Sequence, residues 1–216
     1  MPAGLPDFRQ LVLDVYERID VATYEVLLLI PRDACNRWSP SSKQATDEQR
    51  AEVQRFIQGD YDVVLGMLER RIDGQTARTS KVRTAVTEIL RSKPKQAAAI
   101  HEALVRLADR GQATTIITTN FDLLLEAAGR RQGKPLQTYA LGAIPRPTRS
   151  EEFSGVFHIH GALSPNPARA EDIIVTDRDF GEFYLRRRVV PDFIYDAARL
   201  FHLVLIGYSA NDAPMR

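Results

Sequence analysis

The sequence predicts an α/β fold, a Rossmann-like parallel sheet flanked by helices, with a helical insertion lobe. Three observations support this class. Short apolar or β-branched runs alternate with helical patterns after Gly111, residues 46–110 have a helical pattern almost throughout, and two of the later runs end in polar clusters. Apolar strands joined through helices form a parallel sheet that is covered on both faces. We therefore predict one domain over residues 1–216, with residues 46–110 as the helical insertion.

The composition excludes several classes of protein. The chain of 216 residues has 29 basic and 28 acidic residues, so its net charge of +1 offers no long-range field to attract a nucleic acid. The basic run Arg186–Arg188 is interpreted as a solvated helix face. The single cysteine, Cys35, can form neither an intrachain disulfide nor a cysteine-only zinc site. No apolar stretch approaches the ~18 residues of a membrane span and no signal peptide is recognisable, so we expect a cytoplasmic protein that binds neither membranes nor nucleic acid.

The first half of the chain is predicted to be helical. Apolar residues at near-helical spacing predict a helix over Asp7–Asp20. Thr46 and the residues after it have the pattern of a helix start, whereas Gly59 and Gly74 are typical helix stops. These signals predict four short helices between residues 46 and 110.

The second half alternates strands with helices and contains a proline-rich loop at 142–150. The predicted strands are Ala113–Thr119, Val156–Ile159, Ile173–Val175 and Leu203–Ile206. The predicted helices are Phe121–Arg131, Asp177–Arg187 and Pro191–Phe201.

Asn120 follows a β-branched run and precedes a predicted helix. This position puts its amide at the carboxyl end of a strand, where open α/β sheets bind ligands, beside the N–H groups of a helix start. The alternative is a helix cap, with Asp122 adding negative charge to the first turn. The cap alone does not explain why a second polar cluster ends the strand of His160.

His158 and His160 alternate along a predicted strand, so both side chains are expected on one face of the sheet. A histidine pair at this spacing can bind a metal, but no third ligand is evident nearby and no metal site is predicted. A histidine titrates near neutral pH and suits proton transfer. For His158 we favour a structural role, a histidine hydrogen-bonded beneath the site.

Four segments together resemble the sirtuin-like NAD-consuming proteins, specifically the zinc-less bacterial defence-type NAD hydrolases. They are Gly4-Leu-Pro-Asp-Phe-Arg9, Ala113-Thr-Thr-Ile-Ile-Thr-Thr-Asn-Phe-Asp122, Val156-Phe-His-Ile-His-Gly161 and Leu205-Ile-Gly-Tyr-Ser209. The resemblance implies NAD as substrate, no zinc, and a homo-oligomer or a larger defence assembly. It also implies that the chain is a sirtuin-like NAD-binding domain.

The resemblance assigns roles around the nicotinamide end of NAD. It implies that Thr119 and Asn120 face the ribose, with Asn120 positioning a water or a ribose hydroxyl, and that Asp122 faces the carboxamide. In the sirtuin-like pattern the general base is a histidine followed by a glycine. This matches His160, which precedes Gly161, and not His158. Asn120 and His160 are therefore the predicted catalytic residues.

The remaining predicted cofactor contacts come from the two ends of the chain. The first segment closes over bound NAD in sirtuins, which implies close backbone approach at Ala3 and Gly4, a contact from Asp7, an aromatic wall from Phe8 and a hydrogen-bonding fork from Arg9. Without the family, Asp7 caps a helix and Arg9 is a surface charge. In the last segment Gly207 and Ser209 resemble the turn that meets the adenosine-side ribose and phosphates, although a strand followed by glycine is a weak signal alone.

Two departures from the family shape the prediction. A chain with only Cys35 cannot build the four-cysteine zinc ribbon of the deacylases, which favours hydrolysis of NAD over deacylation. The family's first strand and its Gly-Ala-Gly loop are missing, so we expect a fragment that is truncated at both ends.

The predicted function is hydrolysis of NAD⁺ to nicotinamide and ADP-ribose in bacterial anti-phage defence. One alternative is a module that binds NAD or ADP-ribose as a sensor without turnover. Another is an interaction domain of a larger assembly, with the helical lobe as its contact surface. NAD-dependent protein deacylation is the third.

Overall fold

The computed structural model describes residues 6–32, 45–74, 80–92, 96–149, 152–163 and 173–207. They divide into two compact units. Described residues within 6–92, together with 175–178, form a helical unit, and those within 96–174 and 179–207 form a sheet unit. The predicted α/β class is confirmed by a parallel sheet flanked by helices in the second unit.

The helical unit packs its helices against α1. Its elements are α1 (Phe8–Ile19), α2 (Val21–Leu28), α3 (Asp47–Gln58), α4 (Tyr61–Asp73) and α5 (Lys81–Ser92). Helix α1 contacts α2, α4 and α5 and buries an apolar stripe that includes Leu13 and Val15. The predicted helix over Asp7–Asp20 is confirmed. Helix α2 was not recognised as a separate element because its apolar residues surround it rather than forming one stripe.

The helix ends in this unit follow local capping chemistry. Thr46 and Gln49 form a reciprocal capping box at the start of α3, as the sequence predicts. Gly59 ends the same helix in the left-handed conformation, with φ of 80°. Gly74 ends α4. The four predicted helices between residues 46 and 110 are therefore present as α3, α4, α5 and a fourth helix, α6 (Ala99–Ala108).

The sheet unit is built on three parallel strands in the order β1-β3-β2. Its elements are α6 (Ala99–Ala108), β1 (Thr115–Thr118), α7 (Leu124–Arg131), β2 (Thr138–Ala140), β3 (Gly155–His158), the second half of α8 (Asp177–Phe180), a π-helical segment (Gly181–Arg186) and α9 (Val189–Leu200). Strand β3 is central and buried along its whole length. Val156 packs with residues of α6 and α7, whereas Phe157 packs with Phe180, Val190 and Phe193 of α8 and α9. Helices therefore cover both faces of the sheet, as the sequence predicts.

Glycine is required at the start of β3. Gly155 has φ of 144°, a conformation that L side chains rarely adopt. A Cβ atom there would collide with the carbonyl oxygen of Gln137. Because the Val156 N–H donates to that same carbonyl at 2.8 Å, the close approach belongs to the pairing of β3 with β2.

Two predicted strands are absent. Ile173–Val175 is buried but irregular, and Ile174 N donates to the His160 carbonyl at 2.8 Å. Leu203–Ile206 is not a strand, and Leu205 is 76% exposed. An apolar run becomes a strand only with a partner, and among the described residues this run pairs with none. The prediction of a buried strand there is wrong.

The basic run Arg186–Arg188 is solvated, as predicted. Arg186 and Arg187 pair with Glu182, and Arg188 pairs with Asp192. All three side chains are more than half exposed.

Candidate functional site

Asn120 and His160 occupy equivalent positions beyond two paired strands. Strands β1 and β3 run parallel, with Thr118 opposite His158. Asn120 and His160 each lie two residues past that pair, and the Ile159 N–H extends the ladder by donating to the Thr118 carbonyl at 3.0 Å. Both residues therefore follow the carboxyl ends of neighbouring strands, which is where parallel sheets place ligands.

The first part of this site is the turn between β1 and α7. The Asn120 N–H donates to Oγ1 of Thr118 at 3.1 Å, and the Asn120 side chain is exposed. The helix start is served by Asp122, whose Oδ1 accepts from Leu124 N at 3.0 Å. Asp122, and not Asn120, therefore caps the start of α7, and the amide of Asn120 lies at the surface.

His158 lies directly beneath this turn in a buried polar network. Its Nδ1 lies 2.8 Å from the backbone oxygen of Asn120, and its Nε2 lies 2.8 Å from Oε1 of Glu126. Thr138 of β2 donates its hydroxyl to the same carboxylate oxygen at 2.9 Å. The network therefore links β2, β3, α7 and the Asn120 turn, and the structural role predicted for His158 is confirmed.

The charge of His158 follows from its partners. Burial disfavours the imidazolium, but the hydrogen bonds to Glu126 and to the Asn120 carbonyl outweigh it and raise the pKa of His158 above 6.5. The Asn120 carbonyl accepts from Nδ1–H, and a carboxylate at Glu126 would accept from Nε2–H, so this arrangement favours a proton on each nitrogen. We therefore interpret His158 as a buried imidazolium that pairs with Glu126 and holds the carbonyl of Asn120.

His160 lies in an aromatic environment. Its Nε2 lies 2.5 Å from the hydroxyl oxygen of Tyr184, and its ring meets that of Phe180 edge-on with centroids 5.4 Å apart. His160 is only 5% exposed. Burial lowers its pKa from 6.5 to about 4, so the imidazole is neutral at pH 7 and able to accept a proton.

The prediction that the two histidines share one face of the sheet is wrong. Strand β3 ends at His158, and a turn closed by the bond from Gly161 N to the His158 carbonyl follows. Strict alternation stops at that turn. His158 consequently meets Glu126 of α7, whereas His160 meets Phe180 and Tyr184.

A cavity adjoins this edge of the sheet. Its volume is about 450 Å³, and Ile159 is among the residues that line it. The loop after β2 and the start of α9 form its other walls, with Pro145, Val190 and Phe193 among the lining residues. A cavity of this size is within the range of small-molecule sites.

The N-terminal candidates Asp7, Phe8 and Arg9 belong to the helical unit. Asp7 caps α1 by accepting from Gln10 N at 2.8 Å, and it pairs with Arg32. Desolvation raises the pKa of Asp7, but the bonds from Arg32 and Gln10 outweigh it and leave that pKa below its ordinary value.

Phe8 and Arg9 are held within the same unit. The ring of Phe8 packs edge-on against Tyr61 with centroids 5.8 Å apart. Arg9 donates to the Ile30 carbonyl at 2.6 Å and lies over the ring of Phe56. Arg9 is therefore a structural clamp in this unit rather than a free surface charge.

The other candidates are placed only in part. Thr119 is half-buried in the turn after β1, and Gly207 is exposed with φ of 66°. Ala3, Gly4 and Ser209, like Cys35, lie outside the described residues.

Two site residues were missed from the sequence. Glu126 lies among the buried apolar residues of α7, and an acidic residue on such a face was the signal that could have revealed it. Tyr184 gave no signal, because only the π-helical geometry brings it to His160.

Two features are absent from the described part of the chain. No group of three or more His, Cys, Asp or Glu side chains there could hold a metal ion. Among the helices in those ranges, none combines the length and apolarity needed to cross a membrane.

Comparison with known proteins supports the resemblance. The chain aligns over 98% of its length, at 32% identity over 219 residues, with the uncharacterized protein y4cA of Sinorhizobium fredii. The match covers 16% of that relative, so the chain spans about one sixth of its length. Residues 114–216, which contain Asn120 and His160, match the family model of the SIR2-like domain. Over these residues, just under half of the chain, the protein is similar to the SIR2-like, sirtuin-related family, whose members use NAD.

Proposed function

We propose that this chain is the NAD-binding domain of an NAD⁺ hydrolase that releases nicotinamide and ADP-ribose in bacterial anti-phage defence. The observation that carries the proposal is the parallel register, which sets Asn120 and His160 at equivalent positions beyond adjacent strands. The match of residues 114–216 to the SIR2-like domain supports NAD as the substrate. We retain residues 46–110 as the proposed helical insertion.

The chemistry requires a water molecule at the ribose carbon and stabilisation of an oxocarbenium-like centre. The exposed amide of Asn120 is suited to orient water or a ribose hydroxyl, and its backbone is held by His158. His160 is neutral at pH 7 and has a nitrogen lone pair that can take the proton, and its lowered pKa makes it a weaker base than an ordinary histidine. Asp122 is assigned to the departing nicotinamide by resemblance, in addition to its contact with Leu124 N.

The cavity beside Ile159 could hold a ligand next to the proposed site. Ile159 lines it, whereas neither Asn120 nor His160 does, so a molecule bound there would lie beside the end of β3 and would still have to extend towards these two residues. Its walls combine apolar side chains with Arg146 and Asp192, a mixture typical of small-molecule sites.

The test is nicotinamide release by the full-length protein, measured by chromatography. We expect His160→Ala to reduce the rate by at least about 100-fold, because general base catalysis contributes 10²- to 10⁴-fold. We expect Asn120→Ala to cause a loss of similar size, because it removes the amide that orients the water or the ribose hydroxyl. His101→Gln is the matched histidine control. The Ala98 N–H donates to Nδ1 of His101, and the side-chain oxygen of a glutamine can accept the same hydrogen bond. Equal turnover in the wild type and both site variants would contradict the assignment.

The burial of His160 favours a second candidate, binding without turnover. A base that is 5% exposed has little access to substrate unless the surrounding residues move. Calorimetric binding of NAD or ADP-ribose with no nicotinamide formed, under all conditions tested, would favour a sensor module. No nucleotide binding by the full-length protein would favour an interaction domain.

A further inference from the structure

Tyr184 is the only described side chain found hydrogen-bonded to the imidazole of His160. It lies on the π-helical segment Gly181–Arg186, which directly continues α8. π-Helical turns are rare and frequently occur at functional sites. The Tyr184 hydroxyl oxygen is 2.5 Å from Nε2 of His160, and Phe180 fixes the imidazole plane from the side.

The tautomer of His160 decides whether it can act as a base. A neutral imidazole has one N–H and one nitrogen with a free lone pair. Nε2 is occupied by Tyr184, so a substrate proton has to reach Nδ1. Nδ1 has its lone pair only when Nε2 carries the hydrogen and donates it to the hydroxyl oxygen of Tyr184.

We propose that Tyr184 is a positioning residue for His160, whose phenolic oxygen accepts from Nε2–H and thereby keeps Nδ1 unprotonated as the base. The inference rests on the proposed function, in which His160 takes a proton from water or from a ribose hydroxyl. That proton passes to the Nδ1 lone pair, and Nε2–H remains bonded to the Tyr184 oxygen throughout. Hydrogen bonding by the second nitrogen sets the tautomer in the same way at other histidine sites.

The surroundings of His160 explain why such a partner is needed. Burial against aromatic rings makes the imidazolium costly and lowers the pKa of His160 to about 4. An oxygen that accepts from Nε2–H offsets part of that cost as the proton arrives. A ring that packed against His160 without a hydroxyl group would fix its plane but not its tautomer.

The tautomer is measured directly by ¹⁵N NMR of histidine-labelled full-length protein, with the His160 signals assigned by their loss in His160→Gln. We expect the wild type to show one neutral tautomer with hydrogen on Nε2, and Tyr184→Phe to show a mixture. Tyr139→Phe is the matched control, because Tyr139 is also half-buried and packs against the same core cluster. Hydrogen on Nδ1 in the wild type, or unchanged His160 shifts in Tyr184→Phe, would overturn the proposal.

A kinetic measurement separates this proposal from the proposed function. We expect Tyr184→Phe to lower kcat for nicotinamide release by about 10- to 100-fold, as loss of an orienting partner does at other histidine sites, with KM little changed. An unchanged kcat, or an equal loss in Tyr139→Phe, counts against the positioning role. If the wild type releases no nicotinamide, the proposed function fails, and the ¹⁵N measurement still decides whether Tyr184 sets the tautomer.

Discussion

The two histidines at the end of β3 are two residues apart and lie in opposite surroundings. His158 faces a carboxylate and a carbonyl oxygen, which raise its pKa despite burial. His160 faces aromatic rings and one phenol, and burial lowers its pKa to about 4. Both are buried, so the nature of the partners decides which ring is charged.

The difference in charge gives the two histidines different roles at the carboxyl end of β3. The charged ring of His158 ties three elements to the turn of Asn120 and is suited to hold that turn in place. The neutral ring of His160 has a nitrogen lone pair that can receive a proton. The same residue type thus serves as a structural cation in one neighbourhood and as a candidate base in the other.

Removing His158 has the largest expected effect on stability. His158→Ala leaves the carboxylate of Glu126 buried without its cationic partner, so we expect the free energy of unfolding to fall by about 3–5 kcal/mol. Chemical denaturation at pH 7 measures this loss. Glu126→Gln is the matched control, because its amide group can donate to a neutral His158, and its loss should be smaller. A loss below about 1 kcal/mol in His158→Ala would mean that the pair is not charged.

The pH dependence of the free energy of unfolding distinguishes His160 from His158. The folded pKa of His160 is about 4 and its ordinary value is 6.5, so the unfolded chain binds the proton more readily. Stability is lost as pH falls from 6.5 towards 4, by up to about 3 kcal/mol for a shift of this size. His160→Leu should lack this loss, so its stability relative to the wild type should rise as pH falls. Denaturation curves of both proteins between pH 7 and pH 4 give the difference.

His158 provides the opposite sign in the same experiment. Its folded pKa is raised, so its stabilising contribution is fully present below 6.5 and is lost as pH rises through the folded value. The advantage of the wild type over a His158 variant should therefore shrink at alkaline pH. If the stabilities of the His158 and His160 variants, relative to the wild type, changed with pH in the same direction, the opposite signs of the two pKa shifts would be contradicted.

Local signals in the sequence were sufficient for much of this fold. The capping box of Thr46 and the glycine stop at Gly59 involve residues within a few positions of each other, so the pattern predicts the element. The position of Asn120 and His160 at strand ends was predictable for the same reason, since each follows its own strand directly.

Elements that depend on distant partners could not be predicted in this way. Strand β2 is three residues long and exists because Thr138–Ala140 pairs with β3, whereas Leu203–Ile206 has a better strand pattern but no partner among the described residues. Glu126 reaches His158 across 32 positions and Tyr184 reaches His160 across 24. Spacing therefore identified the two histidines, and only the tertiary contacts showed that their charges differ.

Thr138→Val tests the charge of the His158 network with the smallest change. The substitution keeps the shape of the side chain and removes the hydroxyl that donates to Glu126 at 2.9 Å. Because hydrogen bonds to charged groups are stronger than neutral ones, we expect a loss of about 1–2 kcal/mol in the free energy of unfolding. Thr87→Val is the control, since its hydroxyl donates to the neutral carbonyl of Arg83 at 2.8 Å. Equal losses in the two variants would contradict a charged acceptor in the His158 network.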